Sequence, residues 1–337
     1  MSNNLPMCYK CSKPAVTFRK IDGRYFCKGC YSKWVISTVR KTIREKKLFG
    51  RHDRIIVGLS GGKDSTVLLD ILTKVENKYP TEIIAVCIDE GIIGYREDGL
   101  PIAQANANRL GVEYYQYSFK ELFGYSLDEI VTRARELQQV LPIDRKTRII
   151  QHGACSFCGV FRRKALNIAA RELHGDKVAT GHNLNDVTQT ILLNLLRGDS
   201  FKLLRGDIPP EKMHDSFVPR VKPLQSVTER DVVLYAFYND IVYHTTECPY
   251  SVEAMRLDVR NFVTEIEEKY PGTVYCIKNS METIGKNCSD NGITQINNDE
   301  ELNSTIFLCE QCSEPSSSKI CKGCQMLNIL FKDNHNK

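Results

Sequence analysis

The chain of 337 residues contains no apolar run approaching the ~20 residues that a membrane-spanning helix requires. Its first stretch, Met1 to Tyr9, is polar and lacks the apolar core of a secretory signal, so a cytoplasmic location is the expectation. No internal repeat is visible apart from two cysteine-rich ends. A disordered class is excluded by a hydrophobic content of 42% against 26% charged residues. The length allows two or three folded units.

Cysteine, in contrast, is abundant. Ten of the fourteen fall in five C-x-x-C pairs: Cys8/Cys11, Cys27/Cys30, Cys155/Cys158, Cys309/Cys312 and Cys321/Cys324. Chance placement would give about 0.6 such pairs, and a reducing compartment disfavours structural disulfides, so metal ligation or thiol chemistry is the leading explanation. Cys8, Cys11, Cys27 and Cys30 enclose one short segment, and Cys309, Cys312, Cys321 and Cys324 another. Four thiolates on two knuckles suit tetrahedral Zn²⁺ in a closed structural site, and each segment is too short to fold by apolar burial alone. Two Zn²⁺ are therefore expected. Cys87 reads as a buried strand residue, and Cys276 and Cys288 have no partner spacing.

Charge is unevenly placed. Residues 1–54 hold 14 Lys/Arg against 3 Asp/Glu, although the whole chain is only +5. A basic helix is expected over Tyr31 to Phe49, with Val35, Val39 and Ile43 on one face and Arg40, Lys41, Arg44 and Lys47 elsewhere, suited either to solvent or to a polyanion. Further on, strand candidates Ile55–Leu59, Ile83–Ile88, Glu113–Tyr117 and Lys177–Thr180 alternate with helical patterns at Ser65–Lys74, Gln104–Leu110 and Asp186–Arg197. This alternation predicts a mainly parallel sheet covered on both faces. Helices return at Glu229–Asn239 and Ser251–Lys269, and the polar stretch Lys278–Ser304 reads as a linker.

The hexad Ser60-Gly61-Gly62-Lys63-Asp64-Ser65 lies between an apolar strand and a helix. Free backbone N–H groups and the helix dipole make such a turn an anion site. It is neither G-x-x-x-x-G-K-[ST], since Val57 stands five before Gly62, nor G-x-G-x-x-G. Thr180-Gly181-His182-Asn183-Leu184-Asn185-Asp186 is a second strand-to-helix junction, in which Asp186 reads as a ligand or as a first-turn helix acid. Cys155 and Cys158 open a third helix, with Arg162, Arg163 and Lys164 following, and Cys248 is their distant companion. Three thiolates do not complete a structural zinc site. They fit an iron–sulfur cluster with one open iron, with a redox dithiol at Cys155/Cys158 as the alternative and a third zinc behind it.

The hexad in its strand–helix context resembles the PP-loop, or N-type ATP pyrophosphatase, family. With two four-cysteine ribbons, C-x-x-C-G-x-x-R-R, Glu247-Cys248 and Asp89-Glu90-Gly91-Ile92-Ile93-Gly94-Tyr95-Arg96, the chain is similar to tRNA 2-thiolation enzymes, closest to the wobble-uridine type of archaea and eukaryotes. T-loop thiolases share the cysteine plan. The resemblance implies an α/β fold, a parallel-sheet PP-loop domain flanked by two zinc ribbons. Its expected units are a ribbon at 1–31, a basic helix at 32–54, the catalytic domain at 55–275, a polar linker at 276–304 and a ribbon at 305–337.

The resemblance further implies that Ser60, Gly61, Gly62, Lys63, Asp64 and Ser65 bind the pyrophosphate of ATP with Mg²⁺. Ile88, Asp89 and Gly181 would lie beside the nucleotide. Cys155, Cys158 and Cys248 would hold a [4Fe-4S] cluster, and Arg162 and Asp186 would take part in catalysis. Relatives often carry two acids where this chain has Asn185-Asp186. Adenylation of uridine O2 followed by sulfur transfer is the expected reaction, with tRNA as substrate. The sulfur donor is expected to be a ubiquitin-like carrier or sulfide, and a homodimer or partner subunit is compatible with the family. The rival readings are persulfide-based thiolation, amide formation by a PP-loop synthetase, and a non-catalytic zinc-ribbon RNA-binding protein. Arg163 and Lys164 are expected to face RNA or solvent.

Overall fold

The computed structural model describes residues 6–77, 79–140, 151, 153–205, 216–251, 255–290 and 307–332. Five parallel strands form the central sheet: β3 (Arg54–Gly58), β4 (Glu82–Asp89), β5 (Glu113–Ser118), β6 (Lys177–Ala179) and β7 (Arg220–Val221), in the order β5-β4-β3-β6-β7. The chain enters at β3, builds outward through β4 and β5, then crosses to β6 on the other side. Ligands of open α/β sheets bind at the carboxyl ends of strands where the order reverses, here between β3 and β6.

Period-two alternation in the strands divides the core. Ile55, Val57 and Leu59 enter one apolar layer with α1 (Lys28–Glu45), α2 (Lys63–Glu76), α3 (Arg96–Arg109) and α9 (Glu229–Tyr238), while Ile56, Ile84, Val86 and Ile88 face α5 (Leu127–Val140) and α6 (Ala154–Glu172). A small third cluster joins Leu184 and Leu193 of α7 (Leu184–Leu196) to Val259 and Val263 of α10 (Met255–Lys269) and Val274 of α11 (Thr273–Asp290). The short helices α4 (Phe119–Phe123) and α8 (Ser200–Arg205) complete the central layer. Among the described residues no helix is long and apolar enough to cross a membrane.

The expected strands and helices of the sheet are present, with three differences. Helix α3 begins at Arg96 rather than near Gln104, because Pro101 sits early in it and interrupts the pattern without ending the helix. The expected polar linker is helical up to Asp290: α11 buries Lys278 and ion-pairs it with Glu282 at 2.7 Å, and Glu282 also takes Lys46 at 2.7 Å. Polar composition misled here because the helix packs through a narrow stripe on α7 and α8; residues 291–306 of that expected linker lie outside the described residues. The third difference is β7, too short at two residues to leave a periodic signal.

The two ribbons attach to opposite layers. In the first, β1 (Thr17–Arg19) pairs with β2 (Arg24–Phe26), Phe26 and Tyr31 enter the first core, and the Arg19 guanidinium lies 4.0 Å over Trp34. In the second, β8 (Phe307–Leu308) pairs with β9 (Pro315–Ser316) and α12 (Lys322–Leu327) follows. Met326 and Leu330 are buried in the second core, and Phe331 stacks on Tyr125 with ring centroids 3.6 Å apart.

Candidate active site

The hexad lies between β3 and α2. Gly61 adopts φ +85°, and a Cβ there would come within 2.4 Å of the Gly99 carbonyl oxygen, so glycine is required twice over. Gly62 caps α2 without a side chain, which leaves first-turn N–H groups directed into the turn. The hydroxyl of Ser65 donates to the Gly62 carbonyl at 3.0 Å and accepts from Ser60 N–H at 3.1 Å, closing the loop on itself. Lys63 Nζ lies 2.8 Å from Asp64 Oδ2 and 2.9 Å from Glu229 Oε1. Burial favours a neutral Glu229, yet Lys63 and Arg260 outweigh it and hold that carboxyl below its usual range.

The second junction presses against the first. A Cβ on Gly181 would stand 2.8 Å from Ser65 N and 2.9 Å from Asp64 C. The glycine expected to admit the nucleotide is needed by the backbone of α2 itself. Asn183 donates to Asp64 Oδ1 at 2.8 Å and forms a capping box with Asp186, whose Oδ2 accepts Asn183 N–H at 3.1 Å. Asp186 is thus a first-turn helix acid. One oxygen caps α7, and the other, Oδ1, stands 4.0 Å from Arg256 Nη2. Burial pushes the carboxyls of both Asp64 and Asp186 above the usual range, against the pull of Lys63 on one and Arg256 on the other. Asn185 accepts the Glu229 N–H at 2.9 Å and is buried, so at this position the side chain joins α7 to α9. Ile88 and Asp89 end β4 beside the loop, and Asp89 Oδ1 accepts the Gly91 N–H at 2.8 Å.

Helix α6 runs back toward the start of β6, so its first turn, with Cys155 and Cys158, lies at the same carboxyl edge as the hexad. Cys155 Sγ reaches the carbonyl of Tyr250 at 3.3 Å, two residues after Cys248. Cys158 and Cys248 pack against the same core, and burial pushes the Cys158 thiol up to about 11 in spite of Arg162. Among the described residues the only groups with at least three metal-ligating atoms within 4.8 Å of one another are the two four-cysteine sets. There, Sγ separations of 3.5 Å (Cys11–Cys27) and 3.7 Å (Cys312–Cys321) match the ~3.8 Å edge of a tetrahedron with ~2.3 Å zinc–sulfur bonds. The central trio is more open than that. Its soft ligands and wider spacing fit a polynuclear iron–sulfur group better than a single ion.

A chain of charges connects the two places. Arg96, 3% exposed, donates to the carbonyls of Ser60 (3.1 Å) and Ile88 (2.8 Å) and to Cys87 Sγ (3.1 Å). Its Nε is 3.0 Å from Glu90 Oε2, an ion pair without hydrogen-bond alignment. Glu90 Oε1 lies 2.8 Å from Arg162 Nε, and Arg162 Nη2 donates to Cys158 Sγ at 3.3 Å. Glu90, Arg96, Glu229 and Arg256 were not singled out from the sequence; the only signal was Glu90 and Arg96 inside the family motif and the four-residue spacing of Arg256 and Arg260 on one helix face. His244 was also missed. Its backbone N–H donates to the Gly61 carbonyl at 2.8 Å, which ties the segment leading to Cys248 to the hexad.

The basic residues after Cys158 divide. Arg163 is exposed, but Lys164, expected to meet RNA or solvent, instead points its Nζ at Cys324 Sγ (3.6 Å) and Cys321 Sγ (3.8 Å) of the second ribbon. The α6 face carrying Lys164, Asn167 and Arg171 is taken up by that ribbon, Asn167 and Arg171 both binding Glu314.

A PP-loop domain family model matches residues 35–141. "Cytoplasmic tRNA 2-thiolation protein 1" of Drosophila virilis is 35% identical over 324 residues, covering 95% of this chain and 87% of that protein. Its namesake from Caenorhabditis elegans is 34% identical over 327 residues, covering 96% and 80%. Among solved structures, the U34-tRNA thiolase NcsA from Methanococcus maripaludis with its [4Fe-4S] cluster superposes with a TM-score of 0.76 at 32% identity, covering 96% of both chains. With more than nine-tenths of its length matched above 30% identity, on a parallel sheet whose nucleotide loop and cysteine pair share one edge, the chain belongs to the cytoplasmic tRNA 2-thiolation protein 1 family.

Proposed function

We propose that the chain is an ATP-dependent tRNA sulfurtransferase that makes 2-thiouridine at the wobble position, in the cytoplasm. The carrying observation is the shared carboxyl edge: hexad, Asp186 and the three cysteines converge at the β3/β6 switch point. The U34 specificity in the name of the structural relative supports the wobble base over the T-loop.

Uridine O2 is a poor leaving group. Attack by O2 on the α-phosphate of ATP expels pyrophosphate and leaves the oxygen bonded to AMP. Sulfide then adds at C2 and AMP departs with the former O2, so no oxidant is consumed. The hexad N–H groups and Lys63 hold the β- and γ-phosphates, while Asp64 and Oδ1 of Asp186 provide the hard oxygen ligands that Mg²⁺ takes. On α10, Arg256 stands beside Asp186 and Arg260 beside Glu229, the partner of Lys63, where charge builds up on the phosphate. Cys155, Cys158 and Cys248 would hold a [4Fe-4S] cluster, which would supply the hydrosulfide nucleophile. Arg162, fixed by Glu90, stands next to Cys158 and stabilises negative charge on the departing oxygen. The two four-cysteine ribbons would hold zinc as structural sites. Arg40, Lys41, Arg44, Lys47 and Arg51 line a cleft of about 560 Å³ with Phe49 and Tyr79, suited to an RNA phosphate backbone.

The deciding experiment measures iron, acid-labile sulfide and zinc on anaerobically purified protein, then 2-thiouridine in tRNA, and AMP and pyrophosphate release. Wild type is expected to thiolate in the presence of ATP and sulfide. Cys158→Ala and Cys248→Ala are expected to lose iron and thiolation while keeping zinc. Thiolation that survives loss of Cys248 would remove the three-thiolate mechanism, and zinc without reconstitutable iron would turn the reading to persulfide chemistry.

A further inference from the structure

We propose that Glu90 is a positioning residue that couples occupancy of the nucleotide loop to the arrangement of the cysteine site. The inference rests on the ATP and cluster assignments of the preceding section.

Glu90 is 2% exposed and has a guanidinium on each side, Arg96 toward the hexad and Arg162 toward Cys158. A buried carboxylate is strongly held only where charge partners surround it, and here both partners have a second task. Arg96 binds the carbonyl of Ser60, the first residue of the hexad, and that of Ile88, which precedes Asp89 at the end of β4. Arg162 binds the thiol of Cys158. A shift in the loop when phosphates enter moves the Ser60 carbonyl and with it Arg96. The move passes through one carboxylate to Arg162, because no slack exists between oxygens 3.0 Å and 2.8 Å from their partners.

Backbone contacts reinforce the route. The Gly99 carbonyl packs on Gly61 so closely that no Cβ fits, which holds the first turn of α3, with Arg96 at its start, against the hexad. The Gly61 carbonyl also accepts from His244 N–H, four residues ahead of Cys248. Both halves of the cysteine site, Cys158 and Cys248, are thereby tied to the same two loop residues, Ser60 and Gly61.

The two ends differ in freedom. Arg96 is buried and held by three acceptors, while Arg162 has a side chain 46% exposed and depends on Glu90 and Cys158 for its place. Removing the charge of Glu90 leaves two facing guanidiniums, and Arg162 is the one free to turn to solvent. Coupling is reciprocal in equilibrium binding, so the cluster must alter ATP affinity by the factor with which ATP alters the cluster site.

The test measures Mg-ATP affinity calorimetrically on protein before and after anaerobic cluster reconstitution, for wild type, Glu90→Gln and Arg162→Lys, with zinc content and circular dichroism as folding controls. Wild type is expected to change its ATP affinity at least about fivefold on reconstitution, the lower end of ordinary coupling. In both variants the change should shrink below about twofold. Glu90→Gln keeps the shape of the residue without its charge. Arg162→Lys keeps a charge at a half-exposed position but cannot span Glu90 and Cys158 together, so it carries the test if Glu90→Gln does not fold. Equal wild-type affinities before and after reconstitution, or a full fold-change retained in a folded variant, would overturn the coupling. Wild type that takes up no ATP or no iron is a separate result: the sulfurtransferase reading falls, and the coupling with it.

Discussion

In the N-terminal ribbon the fourth thiol, Cys30, already lies in the first turn of α1, and the hairpin leaves Val16, Phe18 and Tyr25 exposed. In the C-terminal ribbon, by contrast, the thiols lie against α6: Lys164 reaches Cys321 and Cys324, and a Cβ on Gly323 would stand 3.4 Å from the ring of Phe161. Identical ligand sets therefore do different jobs. The first four-cysteine site is continuous with a basic helix, and the second lies against the helix that carries Cys155, Cys158 and Arg162.

The largest effect expected from this contrast comes from Cys321→Ser with Cys324→Ser. Loss of that knuckle should release one zinc and, because α6 loses its brace, more than half of the iron that wild type takes up, read by metal analysis. The matching change at the other end, Cys8→Ser with Cys11→Ser, should also release one zinc but leave iron uptake near wild type. Equal iron loss in the two would abolish the distinction.

A smaller effect is expected at the basic cleft. Replacing Arg40, Lys41 and Arg44 by Glu should weaken tRNA binding and flatten the dependence of log K on log salt by about two to three units, one for each phosphate that is no longer neutralised. The cleft lies at the far end of α2 from Lys63, about 20 Å at 1.5 Å per residue, so the same variant should keep ATP-binding affinity unchanged. The smallest effect is expected for Lys164→Met. It removes the counter-charge beside two ribbon thiolates and should destabilise the fold by about 1–3 kcal/mol in denaturant titration while zinc leaves faster to a chelator.

Much of this architecture follows from local patterns. The four-cysteine sets, the hexad and the four longer strands are each encoded within a few tens of residues, by ligand spacing, glycine conformation or period-two burial. Other features were illegible for equally physical reasons. Lys278–Asp290 looks like a linker because a helix that packs by a narrow stripe needs few apolar residues. Lys164 looks like an RNA contact because its thiolate partners stand more than 150 positions away.

The sequence alone determined which chemistry is available: four-thiolate metal sites, a phosphate-binding turn, a three-cysteine set and the family that combines them. Each depends on residues that must be near one another in the chain or on a motif read as a whole. Only the tertiary structure decided how these parts are joined. It placed Glu90 between two arginines, Gly181 against α2, Asn185 on α9, and the second ribbon on α6. Such pairings arise where the sheet and its crossovers bring distant segments within a few ångströms, and no periodicity in one dimension records that distance.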